Sequence, residues 1–347
     1  MSSHRAVHWL WNSRRLPARA ARFALLPIAG LYRAVMGVRS LLYRTGLFAT
    51  RRLPLPAVAV GNLSVGGAGK TPLAAWIASY YSRHGLRPGV LLRGYGADEG
   101  AVHRRLVPDA VVVENPNRIA GGEEAARGGA RILVLDDAYQ RLDVARDLNI
   151  VVVSAERARA ARWPLPAGPW REGFAALRRA DLIVVTRRRV PAEEAAALAR
   201  LLASRYQPIP VVVAHLRLAG LEGMRSGRAV VAAVLSGKRV IAAAGIADPS
   251  SFAVQVRASG ARVQLLAYQD HHEYPDADVE RLVRAARDEA DYVVVTEKDA
   301  VKLRHRWPPD APEPLVAVLT VTWENNGDQL TRALDRVALG GTPPSTP

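Results

Sequence analysis

The sequence predicts an α/β protein: a mostly parallel sheet flanked by helices, a second, smaller α/β domain after it, and an N-terminal membrane-associated helix before it. Three observations carry this prediction. Short β-branched runs alternate with helical stretches for most of the 347 residues, the pattern of βαβ units that cover both faces of a sheet. One apolar run passes straight into a glycine-rich loop and then a helix. The first fifty or so residues mix arginines with aromatics and contain no acid; the first carboxylate in the chain is Asp98.

Strands are expected at 57–60, 89–92, 110–113, 132–135, 150–153, 182–185 and 209–213, and again at 240–244, 263–266, 292–296 and 315–319. Helices are expected at 73–81, 192–204 and 278–289. A shift to Gly, Glu, Ser and Arg over 219–228 reads as a linker. The division is then 1–53, a basic amphipathic membrane-interface segment; 54–218, the nucleotide-binding domain; 219–339, a C-terminal α/β domain; and 340–347, a disordered tail.

The net charge of +16 calls for a polyanionic partner: nucleic acid, anionic lipid or a phosphorylated substrate. Its N-terminal concentration among Trp9, Trp11, Phe23, Leu31, Tyr32 and Phe48 favours an anionic membrane surface over nucleic acid. Arg33, Arg39 and Arg44 interrupt the apolar run and Pro27 breaks it, so a spanning helix is not expected. A helix lying in the interface fits, as does one packed on the catalytic domain with solvated arginines, and the two are compatible. Cysteine is absent, which excludes disulfides and thiolate chemistry.

Within Gly61-Asn62-Leu63-Ser64-Val65-Gly66-Gly67-Ala68-Gly69-Lys70-Thr71-Pro72, glycines let backbone N–H groups approach phosphates. Lys70 brings a charge to the β- and γ-phosphates, and the Thr71 hydroxyl suits Mg²⁺. This predicts a P-loop NTPase-type fold, although the strict spacing asks for Gly at Ser64. Only four of the 48 basic residues are lysines (Lys70, Lys238, Lys298 and Lys302), so a lysine here is selected over the default arginine.

Asp136 and Asp137 end an apolar strand, where a P-loop enzyme holds its metal. Arg93-Gly94-Tyr95-Gly96-Ala97-Asp98-Glu99 follows another strand and reads either as part of the ligand edge or as a solvated turn. Pro164-Leu165-Pro166-Ala167-Gly168-Pro169-Trp170-Arg171-Glu172 alone signals only a rigid surface loop. Asp270-His271-His272 offers a base or orienting group, or a surface pair. Lys298 and Lys302 either grip a phosphorylated substrate or pair with Glu297 and Asp299.

In this order the motifs, with Asp136-Asp137-Ala138-Tyr139-Gln140, Gly245-Ile246-Ala247-Asp248-Pro249 and Thr296-Glu297-Lys298-Asp299-Ala300-Val301-Lys302, resemble the tetraacyldisaccharide 4'-kinase family, which phosphorylates the lipid A precursor. The resemblance implies a two-domain kinase using ATP and Mg²⁺ at the cytoplasmic face of the inner membrane, peripheral or monotopic. It implies catalysis by Asp98 with His271 and Lys70, and nucleotide binding by residues 62–72. Metal binding would fall to Thr71, Asp136 and Asp137, and substrate binding to Arg93, Tyr95, Glu99, Gln140, Arg171, Glu172 and Asp270. Two departures stand out. The family's insert before its Gly-Asp-Glu-Pro motif is missing, with Gly100 in place of the Pro, and the family's Asp-Asp-Gly-Phe-Gln-His ends here in Tyr139-Gln140-Arg141.

The activity expected is γ-phosphoryl transfer from ATP to the 4'-hydroxyl of tetraacyldisaccharide 1-phosphate, by a chain for which a monomer is favoured. The rivals are a metallochaperone-type GTPase, for which Thr296-Glu297-Lys298-Asp299 faintly resembles a guanine motif, and a non-catalytic nucleotide- or lipid-binding paralogue. Because Asp98 and His271 follow strands of different predicted domains, the pair is expected to form only by closure across a cleft.

Overall fold

The computed structural model describes residues 3–13, 15–94, 97–158 and 162–340. Residue contacts divide the chain into two compact units: Met1–Gly94, Val107–Ala214 and Trp323–Pro347 form the first, and Tyr95–Leu106 with His215–Thr322 form the second. The sequence suggested two continuous segments; the chain instead passes between units four times. The tail expected to be disordered lies, from residue 341, outside the described residues.

The first unit is built on β1 (Ala57–Asn62), β2 (Pro88–Leu92), β3 (Val111–Glu114), β4 (Ile132–Leu135), β5 (Leu148–Ser154) and β6 (Leu182–Arg187). They lie in the order β3-β2-β4-β1-β5-β6, every pair parallel. β1, β2, β4 and β5 are buried at every residue, which explains continuous apolar runs in place of alternation. β1 is central: Ala57 pairs with Leu133 of β4, and Val58 with Leu148 of β5. The glycine loop after β1 and the acids after β4 therefore emerge side by side. The helix Lys70–Arg83 buries Leu73, Ile77 and Tyr81, and is tied to the helix Gly327–Ala338 by Tyr80 Oη on Asp335 (2.6 Å) and Tyr81 Oη on the Leu334 carbonyl (3.0 Å).

Helices Ser3–Asn12, Leu16–Ala24 and Leu26–Arg44 form the N-terminus. Trp11 Nε1 donates to the Pro166 carbonyl (3.0 Å), and the Arg39 guanidinium donates to that of Gln140 (3.1 Å). The opposite side of the long helix carries Ile28, Leu31, Val35, Val38 and Leu41, each between 47% and 66% exposed. Their spacing of three or four residues puts them on one face. Among the described residues no single helix is long and apolar enough to cross a membrane; only Leu16–Ala24 with Leu26–Arg44, bent by 47°, passes that test as a pair.

β7 (Val211–Gly223) leads into the second unit and pairs antiparallel with β8 (Ala229–Val230). Residues 219–223, expected as linker, are therefore strand: Leu216 and Leu221 are buried, and the reversal comes only at Met224–Gly227, where Gly227 takes φ +63°. The rest of this unit's sheet is β9 (Arg239–Ala244), β10 (Arg262–Ala267), β11 (Tyr292–Thr296) and β12 (Leu315–Asn325), in the order β10-β9-β11-β12 and parallel throughout. The expected helix at 278–289 is Asp276–Arg284, with a wider π turn over Ala285–Glu289. The helix Ala97–Leu106 lies between β2 and β3 in sequence but belongs to the second unit.

Candidate active site

In the first unit the phosphate loop is bent by positive φ at Gly66, Gly67 and Gly69 (79°, 48° and 91°), a region that glycine enters without a Cβ penalty. Lys70 opens the following helix, its ammonium 3.2 Å from Asn62 Oδ1 and 3.3 Å from Asp137 Oδ1. Arg171 Nη1 approaches the same carboxylate at 3.0 Å, and Gln140 Oε1 at 3.3 Å. Gln140 Nε2 donates to the Asn62 carbonyl (2.7 Å) and to Glu172 Oε2 (3.2 Å), and Glu172 pairs with Arg179 at 2.8 Å. Asn62, Lys70, Asp137, Gln140, Arg171 and Glu172 thus form one hydrogen-bonded network. Asp136 is buried beside it, and Asp137 takes φ +51°, which turns two adjacent acids onto different courses.

The proline loop is part of this site. Val65 N donates to the Pro169 carbonyl (2.7 Å), Arg171 N donates to the Leu63 carbonyl (2.8 Å), and Ser64 bridges Trp170. The Val65 amide, expected on the nucleotide, is thereby committed to the protein. A Cβ at Gly168 would lie 2.5 Å from Trp163, so this close seating needs glycine. Sequence reasoning missed Arg179 and the loop's role, because neither has a local pattern.

In the second unit, Asp98 is 2% exposed, and its Oδ2 lies 3.0 Å from His271 Nδ1. Lys302 Nζ stands 3.5 Å from the same oxygen, and Lys298 Nζ donates to Glu99 Oε1 at 2.9 Å. The lysines therefore pair with the Asp98 helix, and not with Glu297 and Asp299. Arg105, at the far end of that helix, reaches Glu222 (2.8 Å) and Glu297 (3.7 Å). These bonds explain why the helix joins this unit. They also correct the expectation of closure: Asp98 and His271 meet within one unit.

His271 adopts φ +59°, and its N–H donates to the Gly245 carbonyl (3.1 Å). The neighbouring His272 ring stacks on Tyr268 and bonds Asp278 at 2.6 Å, so the two histidines have different roles. Asp270 is 3.9 Å from His271 Nε2. Burial alone would raise the Asp98 pKa. The His271 hydrogen bond, Lys298 and Lys302 outweigh it and hold the carboxyl at about 2. The same hydrogen bond raises His271 above its ordinary value, against the opposing effect of burial. Arg93 is exposed, and Tyr95 lies outside the described residues.

Residues 21–338 match the family model described as tetraacyldisaccharide-1-P 4'-kinase. The chain belongs to the tetraacyldisaccharide 4'-kinase family. A tetraacyldisaccharide 4'-kinase of Anaeromyxobacter sp. (strain Fw109-5) is 35% identical, the match covering 95% of this chain and 96% of that one. Another from Pelobacter propionicus is also 35% identical, over 87% and 90%. The crystal structure of an Aquifex aeolicus LpxK in complex with ATP superposes with a TM-score of 0.73 at 26% identity, over 91% of this chain and 99% of that one. A tetraacyldisaccharide 4'-kinase is a phosphotransferase of lipid A biosynthesis, and membership favours neither the GTPase nor the non-catalytic alternative.

Proposed function

We propose that this kinase moves the γ-phosphoryl group of ATP to the 4'-hydroxyl of tetraacyldisaccharide 1-phosphate, with Asp98 as the proton acceptor. The observation that carries the reading is the buried Asp98 carboxylate held on His271 Nδ1 at 3.0 Å. At that distance from a carboxylate, Nδ1 carries the proton and donates it as a hydrogen bond, which fixes the base. A cationic His271 keeps Asp98 a weak base. When His271 is neutral it still donates from Nδ1 while Asp98 regains basicity. Lys70 and the amides of residues 66–71 hold phosphate oxygens, Pro72 having no N–H to give.

Thr71 with Asp136 or Asp137 would hold Mg²⁺. Among the described residues no group of three or more His, Asp or Glu could hold a metal unaided. One or two carboxylates completed by phosphate oxygens is the coordination Mg²⁺ favours, so the residues present fit. When bound, the ion neutralises charge on the transferring phosphoryl group. Arg93, Tyr95, Glu99, Gln140, Arg171, Glu172 and Asp270 are assigned to the acylated disaccharide phosphate.

The exposed row Ile28, Leu31, Val35, Val38 and Leu41 is assigned to an anionic membrane surface, at the cytoplasmic face of the inner membrane. The protein acts there as a monomer. Incubation with ATP, Mg²⁺ and tetraacyldisaccharide 1-phosphate should yield a lipid heavier by one phosphate, and Asp98→Asn should lose that product. ATP hydrolysis without a phosphorylated lipid, or preference for GTP, would refute the reading.

A further inference from the structure

The carbonyls of the phosphate loop are fixed from behind by three side chains at the carboxyl ends of β5 and β6. Arg157 Nη1 donates to the Val65 carbonyl (2.7 Å), Arg188 Nη1 to that of Gly67 (2.6 Å), and Thr186 Oγ1 to that of Ala68 (2.8 Å). A trans peptide is planar, with its C=O and N–H pointing in opposite directions. Pulling these three oxygens to one side therefore turns the amides of Gly66, Ala68 and Gly69 to the other. The positive φ values at Gly66, Gly67 and Gly69 leave the loop with little intrinsic resistance to a peptide flip, because glycine tolerates both hands. A flipped peptide would aim a carbonyl oxygen at phosphate, where like partial charges repel.

We infer that Arg157, Thr186 and Arg188 are positioning residues that preset the loop's amides for a polyphosphate. Glu156 supports the set: its Oε1 accepts from Arg188 N (2.6 Å) and Arg189 N (3.1 Å), and its Oε2 from Ser154 Oγ (2.9 Å). That carboxylate thus locks the turn presenting Arg188 against the end of β5. Burial alone would raise the Glu156 pKa, and these backbone and hydroxyl donors bring it below the ordinary value. Each arginine gives the loop one charged N–H, whereas Thr186 gives a short neutral O–H, so the three contacts fail in different ways when altered. No local motif marks them, because each belongs to a different element from the loop it holds.

The inference rests on the kinase reading of the phosphate loop, and Lys70→Ala serves as the control for that reading. The test measures binding of ATP, ADP and adenosine to the full chain by calorimetry, for Arg157→Ala, Arg188→Ala and Thr186→Val. Thermal unfolding of each variant is recorded in parallel. Thr186→Val keeps the side chain's volume, so it reports even if an arginine variant fails to fold. A charge-assisted hydrogen bond to a half-buried carbonyl is worth up to about tenfold to a hundredfold in an equilibrium. Each arginine variant should lose about that much ATP and ADP affinity, Thr186→Val about threefold to tenfold, and adenosine affinity should not change. Arg188→Lys should recover part of the loss, since one N–H suffices for the Gly67 carbonyl. Folded variants that bind ATP within twofold of wild type, or lose ATP and adenosine alike, would overturn the inference while Lys70→Ala remains defective. A Lys70→Ala variant that binds and turns over normally would instead refute the phosphate-loop reading itself.

Discussion

Removing His271 should cost activity only through Asp98, and a double-mutant cycle measures that dependence. The carboxylate is buried, its Oδ2 shared between His271 Nδ1 (3.0 Å) and Lys302 (3.5 Å), while Oδ1 has no hydrogen-bond partner among the described residues. Oδ1 is thus the carboxylate oxygen whose acceptor capacity the protein leaves unused. Asp98→Ala removes the acceptor, worth about 10²–10⁴-fold in kcat. His271→Ala removes one charge-assisted bond, about 1.5–3 kcal/mol or roughly tenfold to a hundredfold. The remaining oxygen then rotates towards Lys302 and away from the substrate. In the double variant the second loss has nothing left to act on, so kcat should match Asp98→Ala within about threefold, a coupling of about 1.5–3 kcal/mol. Initial rates of lipid phosphorylation in detergent micelles, with KM for ATP followed in parallel, give all four corners. Multiplicative losses would show that His271 does not act through Asp98, and a rise in KM for ATP would move the pair from proton transfer to nucleotide binding.

The pH dependence follows from the same contact. His271 is raised above 6.5 by Asp98, so kcat should climb as pH rises through a value above 6.5, and His271→Gln should erase that limb; identical profiles would refute the argument. For stability the signs differ. The Asp98 contribution is present above its ordinary value and lost as pH falls through about 2, and the His271 contribution is lost as pH rises through its raised value. The denaturant midpoint difference between wild type and His271→Gln should therefore be largest near pH 4–6 and shrink by pH 9. Lys70→Ala should reduce turnover about a thousandfold with an unchanged unfolding midpoint. Replacing Ile28, Leu31, Val35 and Val38 together by Ser removes about 1 kcal/mol of interfacial burial per residue, so binding to anionic vesicles should fall about a hundredfold or more. Undiminished sedimentation with vesicles would place the anchor elsewhere.

What the sequence disclosed depended on distance along the chain. β1 and its loop were legible because strand, glycines, Lys70 and Thr71 are contiguous, and β4 with Asp136 and Asp137 for the same reason. The Asp98 helix was assigned to the wrong half. It follows β2 immediately, while the contacts that hold it, Glu99 with Lys298, Asp98 with Lys302 and Arg105 with Glu222, join residues more than a hundred positions apart. The supposed linker at 219–228 failed differently over its first five residues: a shift to Gly, Glu, Ser and Arg suggested a break, but Leu221 is buried and pairs with β8, and burial prevailed over composition. The proline loop looked like bare surface because its partner is the backbone of residues 63–65, and backbone leaves no trace in side-chain pattern.

The division of cations also changes how the net charge of +16 is understood. Read as composition, it pointed to a polyanionic surface, yet many arginines serve the fold. Arg22 spans the carbonyls of Leu10, Trp11 and Ser13, Arg225 those of Pro308, Pro309 and Ala311, and Arg306 those of Glu273 and Tyr274. A planar fork with five donors can satisfy several carbonyls where a chain reverses; an ammonium cannot cover the same geometry. Three of the four lysines lie on carboxylates at the candidate sites: Lys70 on Asp137, Lys298 on Glu99, Lys302 on Asp98. The two cations are therefore not interchangeable here. Lys70→Arg should fail nearly as badly as Lys70→Ala, because the wider guanidinium cannot sit between Asn62 and Asp137, where the ammonium lies 3.2 and 3.3 Å from its partners. Arg225→Lys should spare turnover and lower the unfolding midpoint, having lost up to three neutral acceptors at about 1 kcal/mol each. Full activity in Lys70→Arg, measured as phosphorylated lipid per unit time, would show that the site needs only a positive charge and not a compact one.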